Sequence, residues 1–363
     1  MSKSNIAYNY KLDSLRGIAA ILVVLLHFSS YLFPKVGLEI LAFTPLVKKS
    51  YLFVDLFFIL SGYVLALNYF SDFNKGVEFK SYKTFIKKRF IRLYPLHLVT
   101  LLLLVVLYWG GEYFLNPVES SFKNITNPKA LLFNFTLLQS SGLFARGCFE
   151  CTSWNYPAWS ISTEWIWYFF MPFLFLIFTK IKRLIPLILL VLLLGLYFLI
   201  ERPLGNLDYA SIPALYRCGL GICAGIFLYQ IQNKLSSISS WTYVLSTLCL
   251  LGMHFEMLDS LIVFLFILLV ASVIGEKKKT ILNTSSLIWL GQRSYSIYMI
   301  HAIIHLYFDF SYRVVFDSRI QDISLALQIT GLVISCVILL YLSHLSYRFI
   351  ELKLGKSLKN RIL

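Results

Sequence analysis

The stretch LDSLRGIAAILVVLLHFSSY, residues 12–31, is an apolar run of membrane length that carries one arginine, Arg16, and one histidine, His27. Eleven helical steps of about 100° return to within about 20° of the start, so both side chains share a face, roughly 16 Å apart along the axis. Ionisable groups at such depth are costly and face a cavity, a partner or a pathway. One helix thus offers an anion grip at one end and proton chemistry deeper in. The competing reading is a snorkelling arginine and a histidine bonded to a neighbouring helix.

Working outward, the chain is 58% hydrophobic and only 14% charged, with a mean hydropathy of +0.73. A soluble domain carries about 25% charged residues. The expected class is therefore all-α, a polytopic membrane helical bundle embedded in a lipid bilayer. Its apolar runs divide into about ten transmembrane helices, near 12–31, 51–70, 90–109, 160–179, 183–200, 211–231, 241–256, 260–275, 286–308 and 324–347. The seventh and eighth fall short of the ~20 residues a span needs.

Alternating these spans from a cytoplasmic N-terminus places Lys75, Lys80, Lys83, Lys87, Lys88, Lys180, Lys182, Arg183, Lys277, Lys278, Lys279 and the basic tail inside. Glu112, Glu119, Glu150, Glu201, Asp208, Glu256, Asp259, Asp309, Asp317 and Asp322 then fall outside. This asymmetry predicts cytoplasmic termini and accounts for most of the net charge of +15. Because the basic residues border apolar spans rather than forming one soluble face, no nucleic-acid partner is expected. Residues 18–26 have the length of a secretory h-region, but His27, Phe28 and Tyr31 follow where a small-residue cleavage site would stand.

We read residues 1–363 as a single membrane domain without internal repeat or low-complexity tract. Its longest connection, 110–159, is expected outside as a cover for an outer acceptor site. Of the six cysteines, Cys218, Cys223, Cys249 and Cys336 lie in apolar spans as core residues. Cys148 and Cys151 sit in the long connection, where their spacing suits an outer-face disulfide better than a metal, since no second pair or histidine cluster accompanies them. No metal is expected.

Three further stretches carry polar chemistry. In YLFVDLFFILSGY, residues 51–63, Asp55 needs a partner or a proton. It can orient a histidine, hold an arginine or make a structural bond between helices, while Gly62 suits close helix packing. In FIKKRFIRLYPLH, residues 85–97, Arg89 and Arg92 are neighbours on one face. Two guanidinium groups grip phosphate oxygens bidentately, although a positive-inside collar explains them too. In WSISTEWIWYFFMPF, residues 159–173, Glu164 is expected at the outer boundary, placed to bind an acceptor hydroxyl, assist proton transfer or form a structural pair. Trp154, Trp159, Trp165 and Trp167 read as an interfacial belt. His301 and His305, one turn apart, are auxiliary or structural, and Tyr295 and Tyr298 are packing residues.

The order of these signals is more specific than any one of them: Arg16 to His27, VDLFFILSGY, RFIRLYP, WSISTEW, LGQRSYSIYMIH at 290–301 and RFIE at 348–351. It resembles the acyltransferase-3 family of multi-spanning membrane acyltransferases over essentially the whole chain. The resemblance implies transfer of an acyl group, commonly acetyl, from cytoplasmic acetyl-CoA or another acyl-CoA to a carbohydrate or glycolipid acceptor outside a bacterial inner membrane. The family's arginine-to-histidine motif falls on Arg16 and His27, and its arginine pair on Arg89 and Arg92. Asp55 and Glu164 match acidic positions of the pattern. Some members add a span and a soluble esterase-like domain; here the chain stops at Leu363, so the membrane bundle is expected to do the chemistry itself or hand the acyl group to a separate protein.

On this reading His27, Arg16, Asp55 and Glu164 are the catalytic set, and Arg16, Arg89 and Arg92 bind the donor. His27 serves as general base or as a covalent acyl carrier. The rival class is a transporter of a small polar or anionic substrate, using Asp13, Asp55, Arg217 and His301 as a path. The missing inverted repeat and the arginines gathered at one side weigh against it.

Overall fold

The computed structural model describes residues 9–114, 128–143 and 154–363. Every regular element in them is helical: α1 (Tyr10–His27), α2 (Pro34–Phe43), α3 (Phe53–Phe73), α4 (Phe79–Phe114), α5 (Pro128–Phe135), α6 (Trp159–Lys180), α7 (Ile185–Gly195) and α8 (Arg202–Leu204). These are followed by α9 (Ile212–Ile231), α10 (Thr242–His254), α11 (Asp259–Gly275), α12 (Ser285–Gln292), α13 (Ser294–Phe316), α14 (Leu325–Ser346) and α15 (Gly355–Ile362). The fold is thus a helical membrane bundle. Cys148, Cys151 and much of the 110–159 connection lie outside the described residues.

All ten expected runs fall on helices, but they do not form ten separate membrane-length helices. Among the described residues, seven stretches are long and apolar enough to cross a membrane: Tyr10–Leu32, Lys48–Phe73, Phe79–Gly110, Tyr156–Lys180, Ile185–Leu204, Ile212–His254 and Leu325–Ile362. The expected sixth and seventh spans belong to one 43-residue helical stretch, joined by the 3-10 segment Gln232–Trp241. The eighth, α11, has 17 residues. The ninth, α13, is 23 residues long, but its histidines, tyrosines and Asp309 lower its hydropathy below that of the seven.

Close backbone approach fixes how the central helices sit. A Cβ on Gly291 would strike the Asp13 backbone, and one on Gly17 would strike Gly291, so α1 and α12 meet backbone to backbone. Gly62 and Gly225 do the same for α3 and α9, where added carbons would meet the backbone of Ile222 and of Ile59 and Tyr63. Small residues allow such contacts where lipid removes the usual hydrophobic drive. At the start of α1, the Asn9 side chain accepts from the Lys11 amide at 3.2 Å, and Lys11 Nζ donates to the Glu276 and Lys278 carbonyls at 2.7 Å each. These bonds pin the helix that carries Arg16 and His27.

A buried polar knot ties α3 to α9 and α11. Arg217 donates from Nε and Nη2 to the two Asp55 carboxylate oxygens at 3.0 and 2.6 Å, and from Nη1 to the Leu207 carbonyl at 2.5 Å. Asp259 accepts from Lys49 and Tyr51, both at 2.6 Å, and from the Leu207 amide at 2.9 Å. Glu201 caps α11 by accepting from the Asp259 and Ser260 amides at 2.6 and 3.0 Å. Every ion in this knot has a partner, as burial requires.

Candidate functional site

One cleft, about 880 Å³ including its open mouth, lies between α1, α3, α4, α6 and α13. Arg16 enters it from α1, Arg89 and Arg92 from α4, and Glu164 from α6. The arginines stand ten and thirteen residues past the start of α4 at Phe79, so roughly 15 and 20 Å along the helix. Lys80, Lys83, Lys87 and Lys88 precede them on that first stretch. Lys80 and Lys83 mark the helix mouth, while Lys87 and Lys88 run directly into Arg89.

The three guanidinium groups differ in how much partnering they already have. Arg16 is half-buried and makes no ion pair or hydrogen bond among the described residues; its buried Nε is unpartnered. Arg89 donates to the Tyr69 hydroxyl at 3.1 Å and lies 5.2 Å from that ring's centre, but its Nε also lacks a partner among the described residues. Arg92 is committed: it pairs with Glu351 and lies 5.2 Å from the Tyr295 ring centre. Glu351, whose side chain is 2% exposed, also accepts from Ser296 at 2.5 Å. The RFIE stretch thus returns to α4 and locks one arginine of the pair.

Glu164 does not stand apart from the arginines. It shares their cleft and accepts from the Ser61 hydroxyl of α3. The reason is how α6 begins. Ser140 donates to the Trp159 carbonyl at 3.0 Å and Gln139 to the Ala158 carbonyl at 3.1 Å, so buried chain packs over the helix N-terminus. Trp154 and Trp159 are accordingly core residues, 2% and 4% exposed, rather than members of an interfacial belt. Tyr295 and Tyr298 pack in the buried core as expected and also line the cleft. Tyr295 donates to the Leu93 carbonyl of α4 at 2.7 Å, and Tyr298 bonds the Ser160 hydroxyl at 2.9 Å.

Asp55 lies in the buried knot with Arg217 and does not line the cleft. Of the alternatives its position left open, it holds an arginine, and the one it holds is on α9.

His27 occupies a second, adjoining place. It ends α1 where the backbone widens into the π segment Phe28–Leu32, a helix form frequent at functional sites. Its Nδ1 lies 3.2 Å from Nε2 of His301, the two rings stacked with centres 5.0 Å apart. The Tyr156 ring is 4.9 Å from that of His27 and 5.8 Å from that of His305. Tyr156 carries a buried hydroxyl without a partner among the described residues. Arg16 and His27 therefore both face α13, as one shared helix face requires, with Arg16 beside Tyr295 and Tyr298 across the cleft and His27 beside His301. Tyr298 joins the two places, because its side chain lines the cleft while its carbonyl lies 2.6 Å from His301 Nδ1.

Sequence reasoning left His301 as auxiliary and Tyr298 as packing, quoted Glu351 only as the end of the RFIE stretch without a role, and did not single out Tyr156. Glu351 had a second signal beside the RFIE pattern, since it is the only acid in a strongly basic tail. Tyr156 had none, because nothing local distinguishes it from the chain's other tyrosines.

The sequence pattern of the acyltransferase-3 family, described as an acyltransferase domain, matches residues 9–345. Protein 2 in the picA locus of Rhizobium radiobacter is 33% identical over 165 residues, covering 42% of this chain and 75% of that protein. Acyltransferase MdmB of Streptomyces mycarofaciens is 30% identical over 173 residues, covering 47% of this chain and 40% of that protein. No solved structure matches. Since the family pattern spans nearly the whole helical bundle, including both the arginine cleft and the histidine cluster, the chain belongs to the acyltransferase-3 family of membrane acyltransferases.

Proposed function

We propose that the protein moves an acyl group, in the first instance acetyl, from cytoplasmic acyl-CoA to a hydroxyl of a carbohydrate or glycoconjugate at the outer face of a bacterial inner membrane. The observation that carries this reading is the convergence of Arg16, Arg89 and Arg92 on one cleft, two of them with unpartnered buried nitrogens. Forked cations suit the phosphates of CoA. In this orientation the lysine-rich start of α4 faces the cytoplasm. The long arm between the phosphates and the thioester of CoA then covers the roughly 16 Å of helix rise from Arg16 to His27.

At the far end His27 takes the proton of the acceptor hydroxyl while the oxygen attacks the thioester carbonyl. The collapsing intermediate releases CoA as a thiol, reprotonated by the same imidazole. An acyl-His27 intermediate uses the same residues in two steps. The Tyr156 hydroxyl beside His27 is the kind of donor that stabilises a developing oxyanion. Glu164, sharing the arginine cleft, acts on the donor side in this scheme and not as a contact for the acceptor.

Purified protein supplied with labelled acetyl-CoA and a panel of glycans tests this directly. We expect label on a glycan hydroxyl, and a loss of about 10²–10⁴-fold in kcat for His27→Ala with folding intact. Full turnover by that variant would remove His27 from the chemistry.

A further inference from the structure

His301 sits on α13, fully buried, with both ring nitrogens engaged. The bond pattern around it has a consequence for His27. The Tyr298 carbonyl, 2.6 Å from His301 Nδ1, can only accept, so that nitrogen carries a proton. No carboxylate pairs with His301 among the described residues, and a charge buried without a partner is costly, so its ring is neutral. In a neutral imidazole with hydrogen on Nδ1, Nε2 is a lone-pair acceptor. The group facing that lone pair at 3.2 Å is His27 Nδ1, which must then be the donor. A neutral His27 with hydrogen on Nδ1 keeps its own lone pair on Nε2.

We infer that His301 is a positioning residue that, together with the Val23 carbonyl one turn back on α1, fixes the tautomer of His27, leaving Nε2 as the nitrogen that receives the acceptor's proton. The inference rests on the reading of His27 as the base and adds which atom acts and what sets it. During transfer the acceptor O–H bond breaks and an N–H bond forms at Nε2. The resulting imidazolium donates more strongly from Nδ1 to His301, and the proton then passes to the departing CoA sulfur. Tyr298 is fixed at its other end by Ser160 at 2.9 Å. A chain of contacts therefore runs from α6 through Tyr298 and His301 to His27, and Tyr298 also lines the donor cleft.

Two amides separate this role from simple packing. Glutamine at 301 can place its carbonyl oxygen near the lost Nε2 and still accept from His27. Asparagine can keep the bond to the Tyr298 carbonyl but is too short to reach His27. We expect His301→Gln to hold kcat within a few-fold, and His301→Asn to lose on the order of 10–100-fold, the usual effect of an outer-shell orienting partner. KM for acyl-CoA should be unchanged in both. In membranes containing ¹⁵N-histidine-labelled protein, the His27 nitrogen shifts should report hydrogen on Nδ1 in the wild type and in His301→Gln, and a mixture of tautomers in His301→Asn.

Equal kcat for the asparagine variant and the wild type, or an unchanged His27 tautomer in that variant, would overturn the inference. So would equal losses in both variants accompanied by equal losses of thermal stability. Failure of the base reading looks different: His27→Ala would then turn over normally. If His27→Ala is dead while His301→Asn is normal, only the positioning role falls.

Discussion

At the residue scale, Asp55 and the two arginines of α4 make separable claims. Arg217 donates to both oxygens of Asp55 with each side chain at most 2% exposed, so removing one partner strands a buried charge, at a cost of about 3–5 kcal/mol. Asp55→Ala should lower the thermal unfolding temperature sharply, and the double variant with Arg217→Leu should recover part of the loss. A stable but inactive Asp55→Ala would return this residue to the chemistry. Arg89 and Arg92 are predicted to differ. Arg89→Ala should raise KM for acyl-CoA with little change in stability, and lysine should restore it only partly. Arg92→Ala leaves Glu351 buried and unpaired, so it should also lower stability. Donor titrations at saturating acceptor, read beside unfolding temperatures, check both; identical profiles would contradict the distinction.

At the scale of elements, the glycine contacts decide whether the helices carrying the site can assemble. A Cβ on Gly225 meets the backbone of Ile59, Gly62 and Tyr63, none of which can swing aside, whereas one on Gly76 meets nothing within 4 Å. Gly225→Val should cost at least the ~1–3 kcal/mol of ordinary overpacking, while Gly76→Ala should be close to neutral. Thermal stability by size-exclusion chromatography separates them, and equal stability would sink the packing account. The packing role of Gly62 was readable from its place in an apolar span, although its partner on α9 was not. Helix periodicity also revealed the shared face of Arg16 and His27, because that relation is local to α1. It could not reveal that α4 extends some ten residues before its arginines or that α6 begins under buried chain, since hydropathy marks apolar runs and not where a helix starts. For the same reason the sixth and seventh runs were separated although helical turns bridge them.

At the scale of the molecule, the two halves of the site come from distant parts of the chain. Arg16 and His27 lie on α1, the arginine pair on α4 and His301 on α13, while Glu351 returns from the segment after α14. Family-pattern residues were legible because their order along the chain is distinctive. Their partnerships were not, because the pairing of Glu351 with Arg92 and the place of Tyr156 beside His27 arise only when the bundle closes. The arrangement places Arg16, with the cleft it shares with Arg89 and Arg92, and the histidine cluster at successive depths along α1, which suits a donor and an acceptor arriving from opposite faces. Sealed vesicles of known orientation test this most directly: labelled acetyl-CoA is supplied on the side of the α4 lysines and the glycan acceptor is confined to the other. The account predicts acetylated acceptor on the far side, CoA released on the near side, and neither with His27→Ala. Product formed only when both substrates share one side would contradict it.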